Sequence, residues 1–158
     1  MAAEEGKAAP AFTLKDQNGE KVALKDFKDK KNVILFAYPK AMTPGCTVES
    51  KDFSCMVKDF DKLDCVLLGI SADSVERQKK FEEKEALTVK LLSDEDHKVM
   101  EKYGIWGEKK NYGKVYEGII RSTALIGKNG KLIKMWKNIR AKGHAERVLK
   151  EATELLAE

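Results

Sequence analysis

The chain has 158 residues, 42% of them hydrophobic and 35% charged, which suits one water-facing globular domain over residues 1–158 with a sizeable core. Its net charge of +4 is the balance of 30 basic and 26 acidic side chains mixed along the chain, whereas nucleic-acid binders concentrate their basic residues, so no nucleic-acid partner is expected. No apolar run approaches the ~20 residues of a membrane span, and the opening MAAEEGKAAP carries acids and no apolar stretch, which argues against a membrane partner or a secretory signal and makes residues 1–9 a flexible tail.

In chain order, Phe12–Leu14 and Val22–Leu24 are short β-prone runs around Asn18-Gly19, the pattern of a hairpin. Residues 28–31 (KDKK) and 108–110 (EKK) read as solvated loops, not phosphate-binding patches. Asn32 to Tyr38 is a continuous apolar run ending at Pro39, as expected of a strand buried on both faces. Pro44 to Phe60 reads as one helix, because Phe53, Met56, Val57 and Phe60 recur at three- and four-residue spacing.

Cys65 to Ile70 is a second buried strand. A charged helix from Ser74 to Glu85 follows, with Asp73 or Ser74 as its cap. Val89–Leu92 predicts a short strand, and Asp94 to Tyr103 a helix stopped by Gly104. Ile119–Ile126 and Leu132–Trp136 flank Asn129-Gly130 as a second hairpin. The last helix runs from Gly143 to Leu156, with Val148, Leu149, Ala152, Leu155 and Leu156 as its core stripe. Strands alternating with helices and closing on a hairpin predict an α/β fold with a central mixed sheet flanked by helices, a thioredoxin-like order.

Three cysteines, at 46, 55 and 65, are too few and too odd for a disulfide framework and point to a reducing, cytoplasmic setting. No CxxC or Cys/His cluster occurs, and His97 and His144 lie far from any cysteine in sequence, so no metal site is expected.

The chemistry concentrates in Tyr38 to Ser50, YPKAMTPGCTVES, which leaves the carboxyl end of a buried strand and opens a helix. Reacting groups of open α/β sheets gather at that edge. Thr43-Pro44 reads as a helix cap followed by proline at the first helical position, which puts Cys46 in the first turn. Unpaired backbone N–H groups and the positive end of the helix dipole there favour a thiolate, the nucleophilic form. Thr43 is three residues before Cys46, and its hydroxyl can donate and accept at once, which suits orienting a small polar molecule beside the sulfur.

Attack by a thiolate also gains from a fixed cation where negative charge develops on a leaving group. Arg121, a lone charge in the strand-like run GIIRST, is the candidate, with Glu49 one helical turn after Cys46 as its carboxylate partner. Taken singly these residues have plainer readings. A free cysteine is often a small buried hydrophobe, which is the first reading of Cys55 and Cys65; Arg121 alone suits a strand edge, and Pro39 alone a strand stop.

Together, Pro39, Thr43 and Cys46 in the spacing PxxxTxxC resemble the active-site motif of peroxiredoxins. The wider string YPKAMTPGCTVES resembles the bacterioferritin-comigratory-protein branch, or peroxiredoxin Q. The similarity extends through LLGISADSVERQKKF, LLSDEDHKVMEKYGIWGEKK and YEGIIRSTALIGKNGKL, roughly residues 6 to 156. The resemblance implies a thioredoxin-like fold and reduction of hydrogen peroxide and organic hydroperoxides, without a metal or organic cofactor. It implies Cys46 as the peroxidatic cysteine, Thr43 and Arg121 as the groups that bind and polarise the peroxide, Pro39 as the shield of the pocket, and Glu49 as its support. Cys46 then passes through a sulfenic acid and a disulfide back to the thiol.

The sequence departs from that branch in its resolving cysteine. The position five residues after Cys46 holds Lys51, and no cysteine lies in Ser74–Glu85, the other usual place. Cys55 lies nine residues on, ~13.5 Å along a continuous helix and on its opposite face, too far for a disulfide without melting it. An external thiol such as thioredoxin, glutaredoxin or a small thiol is the preferred reductant, and an intramolecular bridge to Cys55 or Cys65 is the alternative. The branch suggests a monomer. A thiol–disulfide oxidoreductase is a weaker reading, since Thr43 stands where CxxC places a cysteine, and a redox-sensing or holdase module is a third.

Overall fold

The computed structural model describes residues 3–111 and 113–157. Strands β1 (Thr13–Lys15) and β2 (Lys21–Ala23) form the expected hairpin, with Gly19 at φ 78° in its turn. Leu24–Phe27 is a short 3-10 turn, and the KDKK segment that follows is a turn before β3 (Asn32–Ala37). Next come α1 (Pro44–Cys55), α2 (Val57–Asp61), β4 (Cys65–Ser71), α3 (Val75–Glu85), β5 (Lys90–Ser93) and α4 (Lys98–Lys102). The chain continues through β6 (Trp106–Asn111), β7 (Lys114–Ile119), β8 (Ser122–Ile126), β9 (Leu132–Trp136) and α5 (His144–Leu156).

The main sheet has the strand order β2-β1-β5-β4-β3-β8-β9, and β6 and β7 pair separately. Strands β3, β4 and β5 run parallel, while β8 and β9 are antiparallel, so the sheet is mixed as expected. Alternation along β3 explains its unbroken apolar run. Ile34, Phe36 and Tyr38 join one core cluster with Phe53 of α1, Phe81 of α3 and Val148 of α5; Val33, Leu35 and Ala37 join a second with Met100 of α4 and Tyr103.

Several expectations need correction. The helix expected from Pro44 to Phe60 breaks at Met56, at φ −103° and ψ 9°. The break still lets Phe53 and Phe60 pack 5.9 Å apart, both fully buried, so the apolar spacing is satisfied by two helices. The helix expected from Asp94 shrinks to α4, because His97 takes a left-handed φ of 50° and the Asp94 carboxylate accepts from the Met100 N–H at 2.9 Å.

The run from Ile119 to Ile126 is cut at Ile120 and Arg121, where the Ile120 N–H donates to Ile105 and the Arg121 carbonyl accepts from Ile139. Glu108–Lys110 is part of β6, not a loop, and Leu155 is exposed, not part of the core stripe of α5. The tail is also tied down over residues 3–9. Gly6 donates to the Leu132 carbonyl at 2.7 Å, Leu132 donates back to Lys7, and Glu5 accepts from the Met135 N–H at 2.8 Å. The open edge of β9 presents unpaired backbone groups, and the tail supplies partners for them. Met1 and Ala2 lie outside the described residues.

Candidate active site

The site forms where the sheet delivers two segments to one edge. Strand β8 runs antiparallel to β3 with Ser122 opposite Ala37, so Arg121 falls beside the carboxyl end of β3. From that same end the chain passes through Tyr38–Met42 into α1, whose first residue is Pro44. Cys46 is the third helical residue and is 1% exposed. Helix α1 is held against the sheet by Phe53 stacked on Phe36 at 4.5 Å, and against α5 by an edge contact of Phe53 with His144 at 6.0 Å.

The Arg121 guanidinium spans the site. Its Nη2 donates to Cys46 Sγ at 3.1 Å, and its Nη1 donates to Glu49 Oε1 at 2.7 Å. The Glu49 side chain is fully buried and that of Arg121 is 15% exposed, so the ion pair is largely out of water. Burial pushes the Glu49 carboxyl up to about 7, against the opposing pull of Arg121. Its second oxygen, Oε2, is buried without a hydrogen-bond partner among the described residues. Gly45 is part of this geometry, since a Cβ there would sit 3.2 Å from Arg121 Nη2. In the sequence, only the place of Gly45 between Pro44 and Cys46 signals this close approach.

Thr43 holds the cap position but its side chain does not cap the helix. Its hydroxyl donates to the Lys40 carbonyl at 2.7 Å. Pro39 and Arg121 line a cavity of about 660 Å³ together with Ile120, Ile139, Glu108 and Lys137. Cys55 and Cys65 are not brought into the site. Cys55 ends α1 and is exposed. Cys65 begins β4 opposite Asn32, at the far end of the strand pair from Ala37, a span of ~16 Å at the usual rise per residue. Burial pushes the Cys65 thiol up to about 12, with Asp64 adding to the rise.

A polar network under the Tyr38–Thr43 segment leaves almost no trace in the sequence. Asp73 Oδ2 accepts from the Ala41 N–H and from Ser71 Oγ, both at 2.7 Å. Gln78 Nε2 donates to Ser71 Oγ and to the Leu92 carbonyl, while Tyr38 donates its hydroxyl to Gln78 Oε1. The only sequence signal was Asp73 as a possible helix cap; Ser74 takes that role, accepting from the Arg77 N–H.

The AhpC/TSA family model matches residues 6–135. The chain belongs to the AhpC/TSA family. It is 47% identical over 149 residues to "Peroxiredoxin Bcp" of Bacillus subtilis (strain 168), covering 94% of both chains. To "Peroxiredoxin Bcp" of Escherichia coli (strain K12) it is 44% identical over 144 residues, covering 91% of this chain and 92% of that one. Among solved structures, the Xanthomonas campestris bacterioferritin comigratory protein superposes with a TM-score of 0.90 at 30% identity, covering 98% of this chain and 100% of that one. Peroxiredoxin Q of the same organism gives 0.87 at 32% identity, covering 92% of each. This peroxiredoxin therefore has the expected thioredoxin fold and is a thiol-dependent peroxidase, with a peroxide as substrate and a thiol as reductant. No helix among the described residues is long and apolar enough to cross a membrane.

Proposed function

We propose that Cys46 is the thiol that attacks the peroxide, that the substrates are hydrogen peroxide and organic hydroperoxides, and that an external thiol restores it. The observation that carries this reading is the 3.1 Å contact from Arg121 to Cys46 Sγ, with Arg121 anchored on Glu49. A charge-assisted donor at that distance lies ready for the oxygen that leaves. The Cys46 thiolate attacks one peroxide oxygen, an S–O bond forms as the O–O bond breaks, and the other oxygen departs as water or alcohol once protonated. Thr43, whose hydroxyl already donates to Lys40, keeps its lone pairs for the O–H of a hydroperoxide, and Pro39 walls the approach.

The sulfenic acid is then resolved by a thiol RSH. An S–S bond forms to Cys46 and water leaves; a second RSH releases Cys46 and carries off RSSR. The net change is ROOH + 2 RSH to ROH + H2O + RSSR. The positions of Cys55 at the far end of α1 and of buried Cys65 beside Asn32 favour an external thiol over an intramolecular bridge. Thioredoxin, glutaredoxin or a small thiol would serve, and a cytoplasmic setting agrees with three free thiols. Cys46, Glu49 and Arg121 all come from one chain, so residues 1–158 act as one domain and a monomer is sufficient.

Cys46→Ser should abolish peroxide consumption, and Arg121→Ala should slow it about 100-fold or more while leaving the fold intact, since one electrostatic donor to the reacting oxygen is worth that much. Intact mass after one equivalent of peroxide should then show a sulfenic acid or a mixed disulfide with added thiol. An internal disulfide as the main product would overturn the external-thiol cycle, and a Cys46→Ser variant that still consumes peroxide would overturn the whole assignment.

A further inference from the structure

Segment Tyr38–Thr43 joins β3 to α1 without belonging to either. Tyr38, Ala41 and Met42 on this segment pack in the same core cluster as Cys46, whose sulfur is almost wholly screened from solvent. A thiol that is to attack oxidised Cys46 needs this segment to yield. Peroxide, being small, needs it to stay in place, because the Thr43 hydroxyl is oriented by its bond to the Lys40 carbonyl.

One residue of the segment is gripped from both sides. The Ala41 N–H donates to Asp73 Oδ2 at 2.7 Å, and the Ala41 carbonyl accepts from Arg77 Nη2 at 3.2 Å. Arg77 Nε closes the ring by donating to Asp73 Oδ1 at 2.9 Å. Asp73 is itself fixed by Ser71, Ser71 by Gln78, and Gln78 by the Tyr38 hydroxyl at the start of the same segment. The next residue, Met42, is held at φ 68°, a conformation that a non-glycine side chain keeps only where its surroundings impose it. Nothing in the chemistry of peroxide attack requires Arg77, which lies on α3 with a side chain 38% exposed.

We propose that Arg77, acting with Asp73, is a positioning residue that latches Lys40–Thr43 beside Cys46, favouring attack on peroxide and restraining access of the external thiol to the sulfenic acid. This role presupposes that Cys46 is the reacting thiol and an external thiol its reductant. The two half-reactions therefore respond to the latch in opposite directions, which a residue that merely supports the fold does not produce.

The test is Arg77→Ala, read in two single-turnover experiments on the full chain. One measures the second-order rate of sulfenic acid formation with hydrogen peroxide; the other measures its decay on adding glutathione. Formation should slow about tenfold, as expected when reacting groups lose their alignment, and decay should accelerate several-fold. Arg77→Lys, which can pair with Asp73 but cannot fork to the Ala41 carbonyl as well, should fall between. Lys80→Ala, an exposed change on the same helix, should match the parent in both. If Arg77→Ala does not fold, Arg77→Lys and Arg77→Gln carry the same comparison. Rates that both stay within about twofold of the parent, or that both fall together, overturn the latch. Should Cys46→Ser keep its activity, the underlying assignment has failed instead, so the two failures are distinguishable.

Discussion

Replacing Glu49 by Gln separates charge from shape beneath Arg121. Burial raises the Glu49 carboxyl from 4.5 to about 7. Between those pH values the folded protein keeps a proton that the unfolded chain has lost. Stability from this group is therefore fully present below about pH 4.5 and is lost as pH rises through about 7. At 1.36 kcal/mol per pH unit the interval amounts to roughly 3 kcal/mol. Glutamine keeps the shape and cannot titrate. The unfolding free energy of the parent minus that of Glu49→Gln should thus fall by roughly 3 kcal/mol between pH 4.5 and 7.5, then level off. Urea unfolding under reducing conditions at several pH values measures this, and the other titrating groups cancel in the difference. Peroxide attack by the variant should fall behind most above pH 7, where the parent has the ionised anchor. A difference that grows with pH would mean that attraction to Arg121 outweighs burial, and would refute the reasoning.

Iodoacetamide at pH 8 on the reduced, native protein should label exposed Cys55 well before Cys65, whose thiol burial has pushed up to about 12; equal labelling would contradict the buried site. His144 is lowered to about 4 by burial, with Arg147 and Arg121 adding to the effect. Its contribution to stability is present above about pH 6.5 and is lost as pH falls toward 4. An NMR titration should show a neutral His144 ring at pH 5.5, bonded through Nε2 to Thr123, and an ordinary imidazole titration would exclude that environment.

The elements near the site were legible because their signals are local. The unbroken apolar run of β3, the Thr-Pro step into α1 and the two Asn/Gly hairpins each follow from backbone preferences within a few residues. Even Arg121 stands out, since a lone charge in an apolar run needs a partner. Apolar spacing reports which residues are buried, not whether one continuous element buries them. Phe53 and Phe60 are both buried, yet Met56 breaks the helix between them. The tail looked unstructured because its partners, Gly130, Leu132 and Met135, lie more than a hundred residues away.

By itself, then, the sequence determined the strand-to-helix step that presents Cys46 and the set of groups able to act with it. Tertiary structure decided which of them meet. The register of Ser122 against Ala37 brings Arg121 to the sulfur, and the parallel pairing of β4 with β3 carries Cys65 to the opposite end. The latch on Ala41 is likewise a tertiary fact, because hydrogen bonds that join Ala41 to Asp73 and Arg77, more than thirty residues later, leave no trace in local periodicity.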